Sequence, residues 1–129
     1  MKSLLLFFSS ILVLLCAACD KAELNTRPAA EEELRHLHEE ILTLANSLPC
    51  TDPTQWAFTA LGSKACGGPA SYIAYPENSN SQSFLSLVEQ YTEAQQAFNK
   101  KYGVISDCMF IMPPKGIRCE NNRPVFTNP

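Results

Sequence analysis

The chain lacks every common catalytic signature. Its 129 residues hold no Ser/His/Asp order, no H-E-x-x-H, no Walker loop and no dinucleotide fingerprint. Histidine is scarce: His36 and His38 are the two present. The carboxylates Asp52, Asp107 and Glu120 are scattered, and nothing in the sequence pairs them. Positive charge is not in excess, with 10 Lys and Arg against 13 Asp and Glu and a net charge of −3. That balance carries no electrostatic footprint for nucleic acid and no basic patch for anionic lipid. Long apolar runs are also missing. The longest uncharged run, Ser3 to Cys19, is 17 residues, short of the roughly 20 that cross about 30 Å of hydrocarbon. No repeat and no low-complexity tract is present. These absences point to a protein that is not an enzyme, with no cofactor, no metal centre and no nucleic-acid partner.

What is present begins at the N-terminus. Lys2 is followed by the apolar run Leu4–Leu15, then by the small pair Ala17-Ala18 and by Cys19. A basic start, an apolar core and a small-residue step are the order of an export signal. The segment resembles the signal of bacterial lipoproteins, in which cleavage leaves the Cys as the new N-terminus and acyl chains are attached to it. In that pattern an aliphatic residue usually stands three positions before the Cys. Here Cys16 stands there and Leu15 comes one step earlier. An ordinary signal peptidase, which also needs small side chains, would cut near Ala18 as well. The resemblance implies that residues 1–18 are removed, that Cys19 is lipidated and that the protein is exported to the bacterial cell envelope. Its membrane contact is then the lipid on Cys19. Each buried CH₂ of an acyl chain is worth about 0.8 kcal/mol. Cys16-Ala17-Ala18-Cys19 is formally a C-x-x-C, but inside an apolar signal it is not a redox pair.

Residues 19–129 are enough for one domain with one modest core. Loss of Lys2 takes the net charge from −3 to −4. Four cysteines then remain besides Cys19: Cys50, Cys66, Cys108 and Cys119. An even count in a small exported domain reads as two disulfides, each stabilising by about 2–4 kcal/mol. A four-thiolate zinc site normally shows paired knuckles. The gaps of 15, 41 and 10 residues here show none. Of the three possible connectivities, Cys108–Cys119 is disfavoured. A turn through Pro113-Pro114-Lys115-Gly116 would set Cys119 opposite Phe110.

Residues 19–27 form a short polar tether, whose eight residues Asp20 to Arg27 reach about 26–29 Å at most. A domain over 28–129 follows. Thr26 and Pro28 suit a helix start, and Glu31, Glu32 and Glu33 favour its positive end. Ala30, Leu34, Leu37, Ile41, Leu44 and Leu48 form one apolar stripe, stopped by Pro49. His36 lies between Glu32 and Glu40 on the solvated side and reads as part of a charged surface row. Trp56–Leu61 and Ser71–Pro76 read as strands joined by a glycine-rich turn. No helix follows that turn, so a phosphate cradle is not expected. Gly67 and Gly68 serve positive φ beside Cys66. Phe84, Leu87, Val88, Tyr91, Ala94, Phe98 and Tyr102 mark a second helix, ended by Gly103 after Lys100 and Lys101. Val104–Met112 and Ile117–Cys119 read as a hairpin, with a short last strand in Arg123–Phe126.

The expected fold is α+β, with two helices packed on a small antiparallel sheet in the order α-β-β-α-β-β and with two disulfides. The expected role is a non-enzymatic envelope lipoprotein that binds another protein or a peptide. The contact candidates are Met109, Phe110, Ile111, Met112, Pro113 and Pro114, with the aromatics Trp56, Tyr72 and Tyr75. In a strand, either Met109 and Ile111 or Phe110 and Met112 would face inward and the other pair outward. The alternatives are a small exported enzyme or thiol-redox factor, and a purely structural envelope component.

Overall fold

The computed structural model describes residues 26–78 and 80–128. The export signal, Cys16, Cys19 and most of the tether lie outside the described residues. The chain divides into two compact units, 1–33 and 34–129. In the first, Thr26 stands just before helix α1, Arg27–Ala45, and its hydroxyl accepts the Ala29 N–H at 3.4 Å. The first turn holds no carboxylate. Glu31 lies one turn in, where it pairs with Arg27 at 2.8 Å.

The second unit carries the rest of α1 and every other element among the described residues. A 3-10 turn, Pro53–Gln55, leads into β1, Trp56–Ser63. Then come β2, Pro69–Pro76, and helix α2, Ser81–Tyr102. Two short strands close the chain, β3, Gly116–Glu120, and β4, Arg123–Thr127. The order is the expected α-β-β-α-β-β. The strands form two separate antiparallel hairpins, β1–β2 and β3–β4.

The β1–β2 hairpin is the middle layer. Pairing sets Ala57 opposite Tyr75 and Thr59 opposite Ile73. Alternation therefore gives one face to Ala57, Leu61, Ile73 and Tyr75 and the other to Trp56, Phe58, Tyr72 and Ala74. The first face meets the helices. Leu61, Ile73 and Tyr75 pack with Ile41 and Ala45 of α1 and with Phe84 and Val88 of α2. Tyr75 stacks on Phe84, ring centroids 4.7 Å apart. His38 stacks on Tyr91 at 5.4 Å. The opposite face meets the β3–β4 hairpin. There Trp56, Ala74 and Cys50 pack with Ile117, Cys119 and Phe126, and Phe58 meets Phe126 edge to face.

Both helix ends follow local chemistry. Gly103 takes the left-handed conformation after Lys100 and Lys101, and its N–H bonds Asn99 O. Helix α1 ends earlier than the apolar stripe suggests, at Ala45. Asn46 closes the last turn by bonding Leu42 O through both its backbone and its side chain. Leu48 is thus off the helix and half-exposed, whereas Ile41 is fully buried.

The hairpin expected across Pro113–Gly116 does not form. Residues 104–115 hold no regular structure, and the tail hairpin turns instead at Asn121 and Asn122, with φ of 50° and 61°. Two consecutive positive-φ residues make a two-residue hairpin turn, which asparagine tolerates well. The disulfides are Cys50–Cys119 and Cys66–Cys108. Cys108–Cys119, the disfavoured pairing, is absent.

Candidate functional site

The site begins where β1 leaves its ladder. Gly62 lies opposite no residue in the pairing and has φ of +71°. Three side chains of α2 take over the backbone bonds. Gly62 N–H donates to Thr92 Oγ1 at 3.1 Å, Ser63 N–H to Gln95 Oε1 at 2.8 Å, and Asn99 Nδ2 to Ser63 O at 2.8 Å. Spacings of three and four residues put those side chains on one helical face. They fix the end of β1, and so fix Lys64 and Cys66.

Lys64 and Cys66 hold the segment that follows α2. Lys64 Nζ donates to Asp107 Oδ1 at 2.7 Å and to Met109 O at 2.8 Å. The Lys64 side chain is only 15% exposed. Its ammonium, then the Met109 N–H, hold the Asp107 carboxyl below its ordinary value. Cys66 is bonded to Cys108, with Cα atoms 5.5 Å apart. Cys108 has φ of 54°. The turn carrying Cys66 uses Gly67 and Gly68 at φ of +93° and +79°. The segment's ends are pinned by Val104 N–H to Asn99 O and by Lys115 N–H to Thr127 O, both 3.0 Å.

On this frame the apolar side chains point outward. Ile105 is 93% exposed, Phe110 77%, Met109 68% and Met112 60%. Ile111 and Pro114 are half-buried and Pro113 is exposed. No inward pair and outward pair exist, because the segment is not a strand and its faces do not alternate.

The three aromatic candidates do not share a face. Trp56 and Tyr75 are 8% and 7% exposed and lie in the two opposite cores. Tyr72 is half-buried on the Trp56 side and meets Phe58 edge to face. Burial pushes the Tyr75 hydroxyl up, with the Glu77 charge adding to it, and burial raises Tyr91.

Asp52 is held low by the Thr54 hydroxyl and N–H within its own turn. A cavity of about 70 Å³ lies between Leu44, Tyr75, Pro76, Ser81 and Phe84, and two larger open hollows of about 470 Å³ each lie between Asn46, Pro49, Asn122 and Pro124 and between Glu40, Leu44, Gln82 and Gln90. Among the described residues no three His, Cys, Asp or Glu gather as a metal site. Nor, among them, is any helix long and apolar enough to cross a membrane.

No known protein family, curated protein or solved structure matches the chain. Function is read from the site's own geometry. Ile105, Lys64 and Ser106 belong to that site and escape a reading by motif. Lys64 looks like an ordinary turn lysine until the fold sets it under Asp107 and Met109.

Proposed function

We propose that this chain is an exported envelope lipoprotein, acylated on Cys19, whose folded domain is a non-enzymatic module that binds another protein or a peptide through residues 105–112. The observation that carries this reading is the outward display of Ile105, Met109, Phe110 and Met112 on a segment held by a disulfide and a lysine clamp. Neighbouring large apolar side chains exposed together mark an interaction site. Covering one such side chain is worth about 1.5–3 kcal/mol. A covalently held segment has less freedom left to lose on binding. Aromatic and methionine side chains are enriched in such contacts. The export reading rests on Lys2, Leu4–Leu15, Ala17-Ala18 and Cys19.

Two experiments test it. The first places a photo-crosslinking residue at Phe110 in the native host, with Glu93, exposed on α2, as control. We expect a discrete protein adduct at 110 that is lost when Met109 and Met112 are both changed to Ser. No adduct, or the same adduct from position 93, would overturn the contact. The second is intact mass of protein purified from membranes. We expect residues 19–129 plus acyl chains, and a mass without lipid would remove the anchor.

A further inference from the structure

The two disulfides sit in opposite surroundings. Cys50 is 1% exposed and packed among Trp56, Ala74 and Ile117, with Cys119 half-buried beside it. Cys66 and Cys108 are both exposed. We infer that Cys66–Cys108 is a thiol–disulfide exchange site, open to an exported dithiol reductant and separable from Cys50–Cys119, and that it latches residues 105–112 in place. The exchange stands by itself. Its consequence for contact rests on the binding role proposed above.

Attack on a disulfide needs access to one sulfur and a stable leaving thiolate at the other. The exposed bridge offers both. Ser106 Oγ donates toward Cys66 Sγ at 3.4 Å, which favours thiolate at Cys66. Ser106 O lies 3.6 Å from Cys108 Sγ and 4.0 Å from Cys66 Sγ, an acceptor for either S–H once the bridge is open. The Lys64 ammonium bonds the residues on each side of Cys108, and its charge is matched by the Asp107 carboxylate, so the clamp positions the bridge without adding net charge to it. Cys108 also sits at φ of 54°, a conformation that an L-residue adopts only at a cost, and opening the bridge frees it to leave. At the other bridge, attack on Cys119 would expel a thiolate at Cys50 into an apolar core, where charge is strongly disfavoured.

One thiolate of the dithiol bonds Cys108 Sγ, and the Cys66–Cys108 bond breaks with its electron pair leaving on Cys66. The second thiolate of the reductant then attacks the mixed disulfide and releases Cys108. The protein takes up two electrons and two protons, and the dithiol becomes a disulfide. Residues 104–115 then remain held by the Lys64 clamp and by their two backbone bonds to Asn99 and Thr127.

The test titrates the oxidised, signal-processed protein with dithiothreitol, alkylates the free thiols and maps them by peptide mass. We expect Cys66 and Cys108 to be modified at least about tenfold earlier in reductant than Cys50 and Cys119. Far-ultraviolet circular dichroism and the emission of Trp56, which packs against the buried Cys50–Cys119 bridge, should stay native at that point. Modification of Cys50 and Cys119 first, or of all four together with unfolding, would overturn the proposal. Ser106→Ala, whose loss leaves the fold's cores untouched, should slow the exchange about fivefold, the equivalent of one hydrogen bond. An unchanged rate would reject Cys66 as the leaving sulfur. Crosslinking from position 110 is then repeated on the selectively reduced protein. An adduct that weakens on reduction supports the latch, and one that is unchanged refutes it. An absent adduct in the oxidised protein would refute the contact and leave the thiol mapping to stand alone.

Discussion

Gly62→Ala tests how β1 is handed over to α2. An added Cβ would run into Gln95 Oε1 and lie 3.1 Å from Tyr91 Cε1 and 3.3 Å from Ala70 Cβ. Gln95 is the end of a flexible side chain and would swing away. Doing so breaks its bond to Ser63 N–H, which belongs to a residue only 8% exposed. An orphaned buried donor costs about 1–3 kcal/mol, and the left-handed backbone costs a non-glycine about 1–2 kcal/mol more. The expected loss is about 3 kcal/mol, out of the 5–15 kcal/mol that hold a typical domain. Gly67→Ala is the control. It shares the positive φ but has no atom within 4 Å of its Cβ, so it should lose only about 1–2 kcal/mol. Urea unfolding with both disulfides intact measures each value. In a Gln95→Ala background the Gly62→Ala cost should shrink by about 1 kcal/mol or more, because the bond at risk is already gone. Equal losses for the two glycines, or strict additivity with Gln95→Ala, would refute the reasoning.

Three other outcomes follow from the same geometry. Ile41→Ala should cost about 2–5 kcal/mol in urea unfolding, whereas Leu48→Ala, half-exposed beyond the helix end, should stay within about 0.5 kcal/mol. At the tail turn, Asn122→Gly should hold or raise the thermal midpoint and Asn122→Val should lower it, because φ of 61° suits glycine and not a β-branched residue. The Asp107 carboxyl is depressed below its ordinary 3.8, chiefly by Lys64. A group lowered in the folded state contributes fully above that value and loses its contribution as pH falls through the lower folded one. The Met109 amide should therefore shift in an NMR titration below about pH 3.8, and Asp107→Asn should abolish the shift.

Element types were legible where one periodicity ruled a long stretch. The stripe from Leu34 to Leu44 and the one from Phe84 to Tyr102 each report a helix, and cysteine parity reports two bridges. Boundaries failed where competing signals were close in strength. Leu48 continues the stripe in spacing, yet Asn46 bonds back to Leu42 and ends the helix three residues sooner. Val104–Met112 has the composition of a strand, but composition does not supply a partner edge. Lys64 and Cys66 claim its backbone and side chains instead. The turn signal of Pro113–Gly116 outweighed Asn121-Asn122 on composition, although only the asparagines sit at the two positive-φ positions. The contact segment was visible as an apolar stretch between cysteines. Which of its side chains face water depends on Lys64, 40 or more residues away in sequence.

The bridges are nested: Cys66–Cys108 lies inside the ring closed by Cys50–Cys119. A pull on the two ends of the domain is therefore carried from Cys50 straight to Cys119 through sulfur, and the chain between them bears no load. The hairpin layer, α2 and the display segment are mechanically shielded, while the α1 side and β4 would stretch first. A protease that nicks any one bond inside the ring still leaves a single covalent molecule.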